Sequence, residues 1–180
     1  MGKNKKLMLF VAALAIAIYF GNGILRNMYP LNHYDIIREN AAKHDLDPLF
    51  IASVIHAESR FAEDATSHKE AKGLMQIQEK TALWCAEQMR LDDFDTEKIY
   101  MPEYNILIGA WYFHYLLDEF DGDYTLTLAA YNAGMGNVKE WLDNTLYSKD
   151  GTQLDKIPFA ETERYIKKVK NNHAIYKMLY

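Results

Sequence analysis

The sequence predicts a mostly α-helical protein with a membrane-spanning helix at its N-terminus. The first supporting observation is an apolar run over residues 7–25 that follows three lysines. The second is Asp47-Pro48, where a capping side chain precedes proline at the first helical position and an apolar stripe follows at helical spacing. The third is the stretch after Pro102, where residues spaced three and four apart between positions 105 and 116 fall on one face of a helix.

The N-terminal segment, residues 1–28, reads as a unit separate from the domain of residues 29–180. The apolar run of residues 7–25 is about as long as the shortest helices that span a bilayer. The lysines before it predict a single span with a cytoplasmic N-terminus and the domain outside the cytoplasm. A cleaved signal peptide, which would release a secreted protein, is the alternative. The small residues Ala15 and Ala17 lie inside the run instead of after it, which favours the retained anchor.

The helix that starts at Asp47-Pro48 places a carboxyl group at the end of a buried face. Ile51, Val54 and Ile55 form its apolar stripe, and Glu58 is the next position on that stripe. Burial would favour the neutral form of this carboxyl, and a carboxylic acid that stays protonated near neutral pH can act as a general acid. The alternative is an exposed glutamate at a helix end.

Further helices are expected before and after this one, separated by polar turns. Residues 62–73 read as a loop, and the alternating acidic residues of 92–97 read as a solvated turn because they lack the glycine and closing glutamate of a calcium loop. Asp123 is the expected N-cap of a short helix. The other predicted helices cover residues 33–44, 80–89, 103–120, 126–132, 137–146 and 159–180.

Charge and cysteine usage exclude several classes of protein. The formal net charge is −5, and the four basic residues of the N-terminal segment leave −9 for the rest of the chain. An acidic body argues against binding nucleic acid through a broad basic surface. Cys85 is the only cysteine, so an intrachain disulfide is excluded. The spacing of His56 and Glu58 does not match a zinc-binding helix, and we expect neither a metal nor a cofactor.

Short motifs follow one another along the domain. They are Glu58-Ser59-Arg60-Phe61, Ser67, Gly73-Leu74-Met75-Gln76-Ile77, Ala129-Ala130-Tyr131-Asn132-Ala133-Gly134 and Glu161-Thr162-Glu163-Arg164-Tyr165. In order and approximate spacing, they resemble the soluble lytic transglycosylase (SLT) domain over about residues 47–169. This resemblance implies the lysozyme-like fold of goose-type lysozyme, with a sugar-binding groove between helices.

The resemblance also implies a site. Glu58 would be the catalytic residue, Tyr131 would donate a hydrogen bond that orients it, and Glu161 would support the arrangement. The residues expected to bind substrate are Ser67, Gln76, Gln78, Asn105, Tyr112, Tyr131, Asn132 and Tyr165.

Some of these positions also have a plainer interpretation. Ser67 fits an ordinary turn, and Tyr112 fits the core as well as it fits a groove. Members of the family carry proline three positions after Gln76, where this chain has Glu79. That difference puts the start of the next helix and the role of Gln78 in question.

Most glycosidases use two carboxylates. Glu63, Asp64 and Glu70 follow the Glu58 helix, but no spacing argument selects one of them, and we expect solvated loop charges. The resemblance implies a mechanism with one carboxyl group, in which the substrate's own acetamido group takes the place of the second.

The expected activity is cleavage of the β-1,4 bond between N-acetylmuramic acid and N-acetylglucosamine in peptidoglycan, without water, to give 1,6-anhydro ends during cell-wall remodelling. The alternatives are a hydrolytic muramidase and a non-catalytic peptidoglycan-binding component of an envelope complex. The expected partners are glycan strands and the membrane, through residues 7–25. The anchor also fits a place in an envelope protein complex, and the sequence does not choose among such complexes.

Overall fold

A computed structural model describes residues 2–180, and it confirms the prediction of a mostly helical protein. Met1 and some side chains of the first helix, among them those of Lys3, Lys6, Ala15 and Ala17, lie outside this description. The helices are α1 (Lys3–Met28), α2 (Tyr34–Lys43), α3 (Pro48–Glu58), α4 (Glu79–Met89), α5 (Pro102–Glu119), α6 (Tyr124–Ala133), α7 (Met135–Leu142) and α8 (Ala160–Leu179), with one 3-10 helix (Thr96–Tyr100).

Helix α3 is the centre of the core. Its start is as predicted: the Asp47 carboxylate accepts a hydrogen bond from the Leu49 amide at 2.8 Å, and Pro48 occupies the first turn. Every residue from Phe50 to Ala57 is buried, chiefly against α8 and α2. At the C-terminal end of this buried helix, the Glu58 side chain reaches a groove.

The predicted loop after α3 contains a small antiparallel hairpin that the sequence analysis missed. Strand β1 (Ala71–Lys72) pairs with strand β2 (Ile77–Gln78), with Ala71 opposite Gln78. Strands of two residues are too short to produce a detectable alternation of polar and apolar side chains. Gly73 turns the chain between them with φ at +73°, and a Cβ there would lie 2.8 Å from the Ile99 carbonyl oxygen.

Helix α5 crosses this hairpin loop closely at Gly109. A Cβ at Gly109 would overlap the sulfur of Met75. This contact explains a glycine in the interior of a long helix, where it costs about 1 kcal/mol of stability relative to alanine.

Other element boundaries differ from the predictions by a few residues. Helix α4 begins at Glu79, so the glutamate occupies the first helical position, where a proline would also fit. The acidic turn continues into the 3-10 helix, whose N-cap Asp95 accepts hydrogen bonds from the amides of Glu97 and Lys98. Asp123 caps α6 as predicted, through bonds from two amides. Helix α7 begins and ends earlier than predicted.

Helix α1 stands apart from the core. Its segment Leu7–Met28 is long and apolar enough to cross a membrane, and none of the described side chains in this segment is buried inside the fold. The C-terminal end of α1 contacts the C-terminal end of α8.

Candidate active site

A groove of about 360 Å³ opens at the C-terminal end of α3. The end of α3, the hairpin loop, the middle of α5, the end of α6 and the start of α8 form its walls. The residues that line it are Glu58, Ser67, His68, Lys69, Ala71, Gln76, Ile77, Gln78, Thr81, Tyr112, Tyr131, Asn132, Ala133, Gly134 and Glu161.

Glu58 is half-buried at the floor of this groove. Burial raises the pKa of its carboxyl to about 7, and the nearby charge of Glu161 acts in the same direction. The Tyr165 hydroxyl and the Lys168 ammonium oppose this rise in pKa because they stabilise the carboxylate form. Glu58 is therefore protonated in a large fraction of molecules at neutral pH, as a general acid requires.

Tyr165 is 8% exposed and is not among the side chains that line the groove, so the structure does not support the expectation that it binds substrate. Its hydroxyl is buried and has no hydrogen-bond partner within residues 2–180, but it lies close enough to Glu58 to lower the pKa of that carboxyl. Burial and the negative charge of Glu58 hold the pKa of the phenol well above its ordinary value. The phenol therefore stays protonated and can donate to Glu58.

Tyr131 lines the groove, but its hydroxyl donates to the Met75 carbonyl oxygen at 2.8 Å. The implied hydrogen bond from Tyr131 to Glu58 is therefore wrong for this structure. Burial raises the pKa of the Tyr131 phenol well above its ordinary value. The hydrogen bond ties the end of α6 to the loop that carries Gln76.

Asn105 is also away from the groove, contrary to expectation. It is fully buried, and its side chain accepts from the Met75 amide at 2.7 Å while it donates to the carbonyls of Lys72 and Ile99. Asn105 thus links the backbone of the hairpin loop to α5 and to the 3-10 helix. The sequence showed its position on a helical face, but a position alone does not reveal which backbone groups a side chain reaches.

Gln76 lines the groove, but its side-chain amide can make fewer hydrogen bonds to a ligand than the sequence suggested. Both hydrogen-bond donor positions of its amide nitrogen are used, by the carbonyls of Ala65 at 3.0 Å and Gly73 at 2.9 Å. Only the amide oxygen remains to accept from a ligand. The backbone of Gln76 is left-handed, with φ at +50°, so the hairpin loop holds this side chain in an unusual conformation.

The remaining predicted groove residues do line the cavity. Ser67 also shapes a turn, because its hydroxyl oxygen accepts from the amides of Lys69 and Ala71. Asn132 accepts a hydrogen bond from the Thr162 hydroxyl at 2.8 Å, which joins α6 to α8. Both interpretations of Tyr112 hold in part, because its ring packs 5.7 Å from that of Tyr131 and also faces the groove.

Sequence reasoning missed three polar groove side chains, those of His68, Lys69 and Thr81. The first two directly follow Ser67 in the loop, and that adjacency was the available signal. The Lys69 ammonium lies 3.4 Å from the Glu161 carboxylate, so an ion pair connects the loop to the first turn of α8.

Glu63, Asp64 and Glu70 do not line the groove, whereas Glu161 does. Glu161 is thus the other carboxylate in the cavity that holds Glu58. Among residues 2–180, no group of three or more histidine, cysteine or acidic side chains could hold a metal ion.

Comparison with known proteins gives a consistent result. The family model described as "Transglycosylase SLT domain" matches residues 35–153. A soluble lytic murein transglycosylase of Salmonella typhimurium is 31% identical over 155 residues, which cover 85% of this chain and 24% of that protein. A membrane-bound lytic murein transglycosylase F of Cellvibrio japonicus is 28% identical over 162 residues, which cover 83% of this chain and 30% of that protein. The chain therefore spans about a quarter of the length of the curated relatives it matches.

Two solved structures share the fold. The lytic transglycosylase Slt of Pseudomonas aeruginosa, as an inactive mutant, has a TM-score of 0.75 at 30% identity and covers 86% of this chain and 25% of its own. The 70 kDa soluble lytic transglycosylase of Escherichia coli has a TM-score of 0.76 at 27% identity with the same coverage. These similarities confirm the lysozyme-like helical fold that the sequence motifs predicted.

Proposed function

Because this chain belongs to the transglycosylase SLT domain family, we propose that it is a membrane-anchored peptidoglycan lytic transglycosylase. The observation that carries the proposal is the state of Glu58, a carboxyl group with a pKa raised to about 7 on the floor of the groove. Such a group can give up a proton and take one back at neutral pH.

In the first step, Glu58 donates its proton to the oxygen that links the two sugars. The bond from that oxygen to C1 of N-acetylmuramic acid breaks, and N-acetylglucosamine leaves with a free hydroxyl. The substrate's own acetamido group stabilises the positive charge at C1. The groove contributes the Gln76 amide oxygen and the Tyr112 ring, which hold the sugars in place.

In the second step, ionised Glu58 accepts the proton of the C6 hydroxyl of the same muramic acid. The C6 oxygen forms a bond to C1, which gives the 1,6-anhydro ring. Glu58 ends the cycle protonated, and no water is consumed. The Tyr165 phenol and Lys168, which favour the carboxylate, stabilise Glu58 between the two steps.

A hydrolytic muramidase is the second candidate, and the position of Glu161 favours it. Glu161 lines the same groove and its charge reaches Glu58. Inverting glycosidases place a second carboxylate where it can activate a water molecule. The Lys69 ammonium weighs against this role, because it lies 3.4 Å from the Glu161 carboxylate and occupies the place next to it where a water molecule would be held.

The proposed location is the outer face of the cell membrane. Helix α1 would cross the bilayer once, with the N-terminus in the cytoplasm and the catalytic domain outside, where peptidoglycan lies. The family also includes proteins named as membrane-bound lytic murein transglycosylases. A partner complex in the envelope is compatible with this anchoring.

The test of an enzymatic role is turnover of purified peptidoglycan by the full chain in detergent, compared with Glu58→Gln. We expect the variant to lose activity by at least about a hundredfold, since general acid–base catalysis contributes that much or more. The variant should still sediment with insoluble peptidoglycan. Equal turnover by both proteins would overturn the role of Glu58, and binding without turnover by either would indicate a non-catalytic glycan-binding protein.

A further inference from the structure

We propose that the C-terminal end of α8 is a second membrane-contacting surface, which lies in the lipid headgroup layer next to α1. We call the exposed residues Lys177, Met178 and Tyr180 the α8 tip. The proposal goes beyond the single span of residues 7–25, because it assigns a lipid contact to the catalytic domain itself.

The first argument is the attachment of the segment that follows α1. Three consecutive carbonyl oxygens, from the last residue of α1 to the second residue after it, lie within hydrogen-bond distance of side chains of the domain. His56 Nε2 lies 3.0 Å from the Met28 carbonyl oxygen, the Tyr180 hydroxyl donates to that of Tyr29 at 3.0 Å, and the Tyr176 hydroxyl donates to that of Pro30 at 2.7 Å. The Tyr29 ring also stacks on His56, with the ring centres 4.6 Å apart. The domain is therefore attached directly to the end of α1, without a free linker.

The second argument is the level of the α8 tip along α1. Arg26 is the first charged residue after the apolar run, so it marks the water–lipid boundary. Its guanidinium donates to the Leu179 carbonyl and lies 4.6 Å from the centre of the Tyr180 ring. The last turn of α8 is consequently at the same depth as the end of the membrane-spanning run.

The third argument is the chemistry of the tip. Met178 is 68% exposed, and Tyr180 is 44% exposed even though its hydroxyl and ring contact Tyr29 and Arg26. An apolar side chain, an amphipathic ring and the exposed cation of Lys177 are the combination that suits a headgroup layer. Lysine attracts anionic lipid phosphates, and tyrosine is enriched at the membrane interface.

The attachment of the domain to the end of α1 and the lipid contact of the α8 tip would together fix the distance of the groove from the bilayer. His56 precedes Glu58 by two residues on α3, a rise of about 3 Å along the helix axis. Glu58 is thus close to the segment that leaves the membrane. If the proposed function holds, the glycan strands that Glu58 can reach are those next to the membrane.

The experiment places a fluorescent label at single cysteines of the full chain in vesicles of phosphatidylethanolamine and phosphatidylglycerol. Cys85 is buried and its pKa is raised to about 12, so it does not compete for a maleimide dye. The labelled variants are Met178→Cys, Leu146→Cys as a control on an exposed apolar residue after α7, and Leu14→Cys within α1. A nitroxide carried on lipid headgroups or on acyl chains serves as the quencher.

We expect headgroup nitroxide to quench the label at position 178 strongly and the label at 146 weakly, while acyl-chain nitroxide quenches the label at 14. Quenching at 178 no greater than at 146 would overturn the proposal. Absence of quenching at 14 would overturn it together with the membrane anchor. Since no glycan is present, neither result bears on the enzymatic activity.

Discussion

The Lys69 ammonium lies 3.4 Å from the Glu161 carboxylate, although 92 residues separate them in the chain. Both side chains line the groove that holds Glu58, and the charge of Glu161 raises the pKa of Glu58. The loop after α3 and the first turn of α8 are thus joined at the edge of the site.

The pH dependence of kcat/KM should show one descending limb near pH 7. Glu58 must carry its proton in the free enzyme, and its pKa is raised to about 7, so activity falls as the pH rises through that value. A rate profile in detergent from pH 5 to pH 9 would measure this limb. A rate that still increases above pH 8 would contradict the role of Glu58 as the acid.

Glu161→Gln should move this limb to lower pH. Removing the negative charge makes the carboxylate form of Glu58 more favourable, so the pKa of Glu58 falls. Glu163→Gln is the matched control, because Glu163 lies on the same helix but is exposed and paired with Lys167. Equal shifts in the two variants would show that the effect is not specific to the groove.

Tyr165→Phe should move the limb in the opposite direction. The phenol lowers the pKa of Glu58, and its loss leaves burial less opposed, so the pKa of Glu58 rises. Tyr131→Phe is the comparison, since the Tyr131 hydroxyl is bonded to the Met75 carbonyl oxygen. If Tyr131→Phe moved the limb and Tyr165→Phe did not, Tyr131 and not Tyr165 would be the residue that lowers the pKa of Glu58.

Glu58→Gln should stabilise the protein at pH 8. The pKa of Glu58 is 4.5 in its ordinary state and about 7 in the fold, so ionisation above pH 7 costs up to about 3 kcal/mol of folding free energy. The cost is absent below pH 4.5, where the carboxyl is protonated in both states, and it develops as the pH rises to 7. Urea unfolding of wild type and variant at pH 4 and pH 8 measures it, and an equal difference at both values would contradict the raised pKa.

Gly109→Ala should destabilise the protein, although alanine is the better helix former. The added methyl overlaps the Met75 sulfur at the crossing of α5 and the hairpin loop, and overpacking of this kind costs about 1–3 kcal/mol. Gly136→Ala in α7 is the control, because a Cβ at this position would meet open space. This substitution should raise the free energy of unfolding by up to about 1 kcal/mol. Thermal unfolding of both variants gives the comparison, and a higher Tm for Gly109→Ala than for the wild type would refute the close crossing.

Local features of the sequence were enough to predict the helices and the position of Glu58 at the end of a buried helix. The caps at Asp47 and Asp123 and the position of Glu58 on the stripe depend on neighbours within one or two turns. The roles of Asn105 and Tyr165 depend on backbone and side chains that are distant in sequence, and no local pattern contains that information. A serine or a glutamine in a loop likewise does not show which carbonyls will occupy its hydrogen bonds.

The most direct test of the central claim is the mass of the products formed from purified peptidoglycan in water labelled with heavy oxygen. If Glu58 acts first as acid and then as base on the C6 hydroxyl, the full chain gives 1,6-anhydromuramic ends without heavy oxygen, and Glu58→Gln gives none. Reducing ends that carry heavy oxygen at C1 would contradict this account and would identify a hydrolytic muramidase.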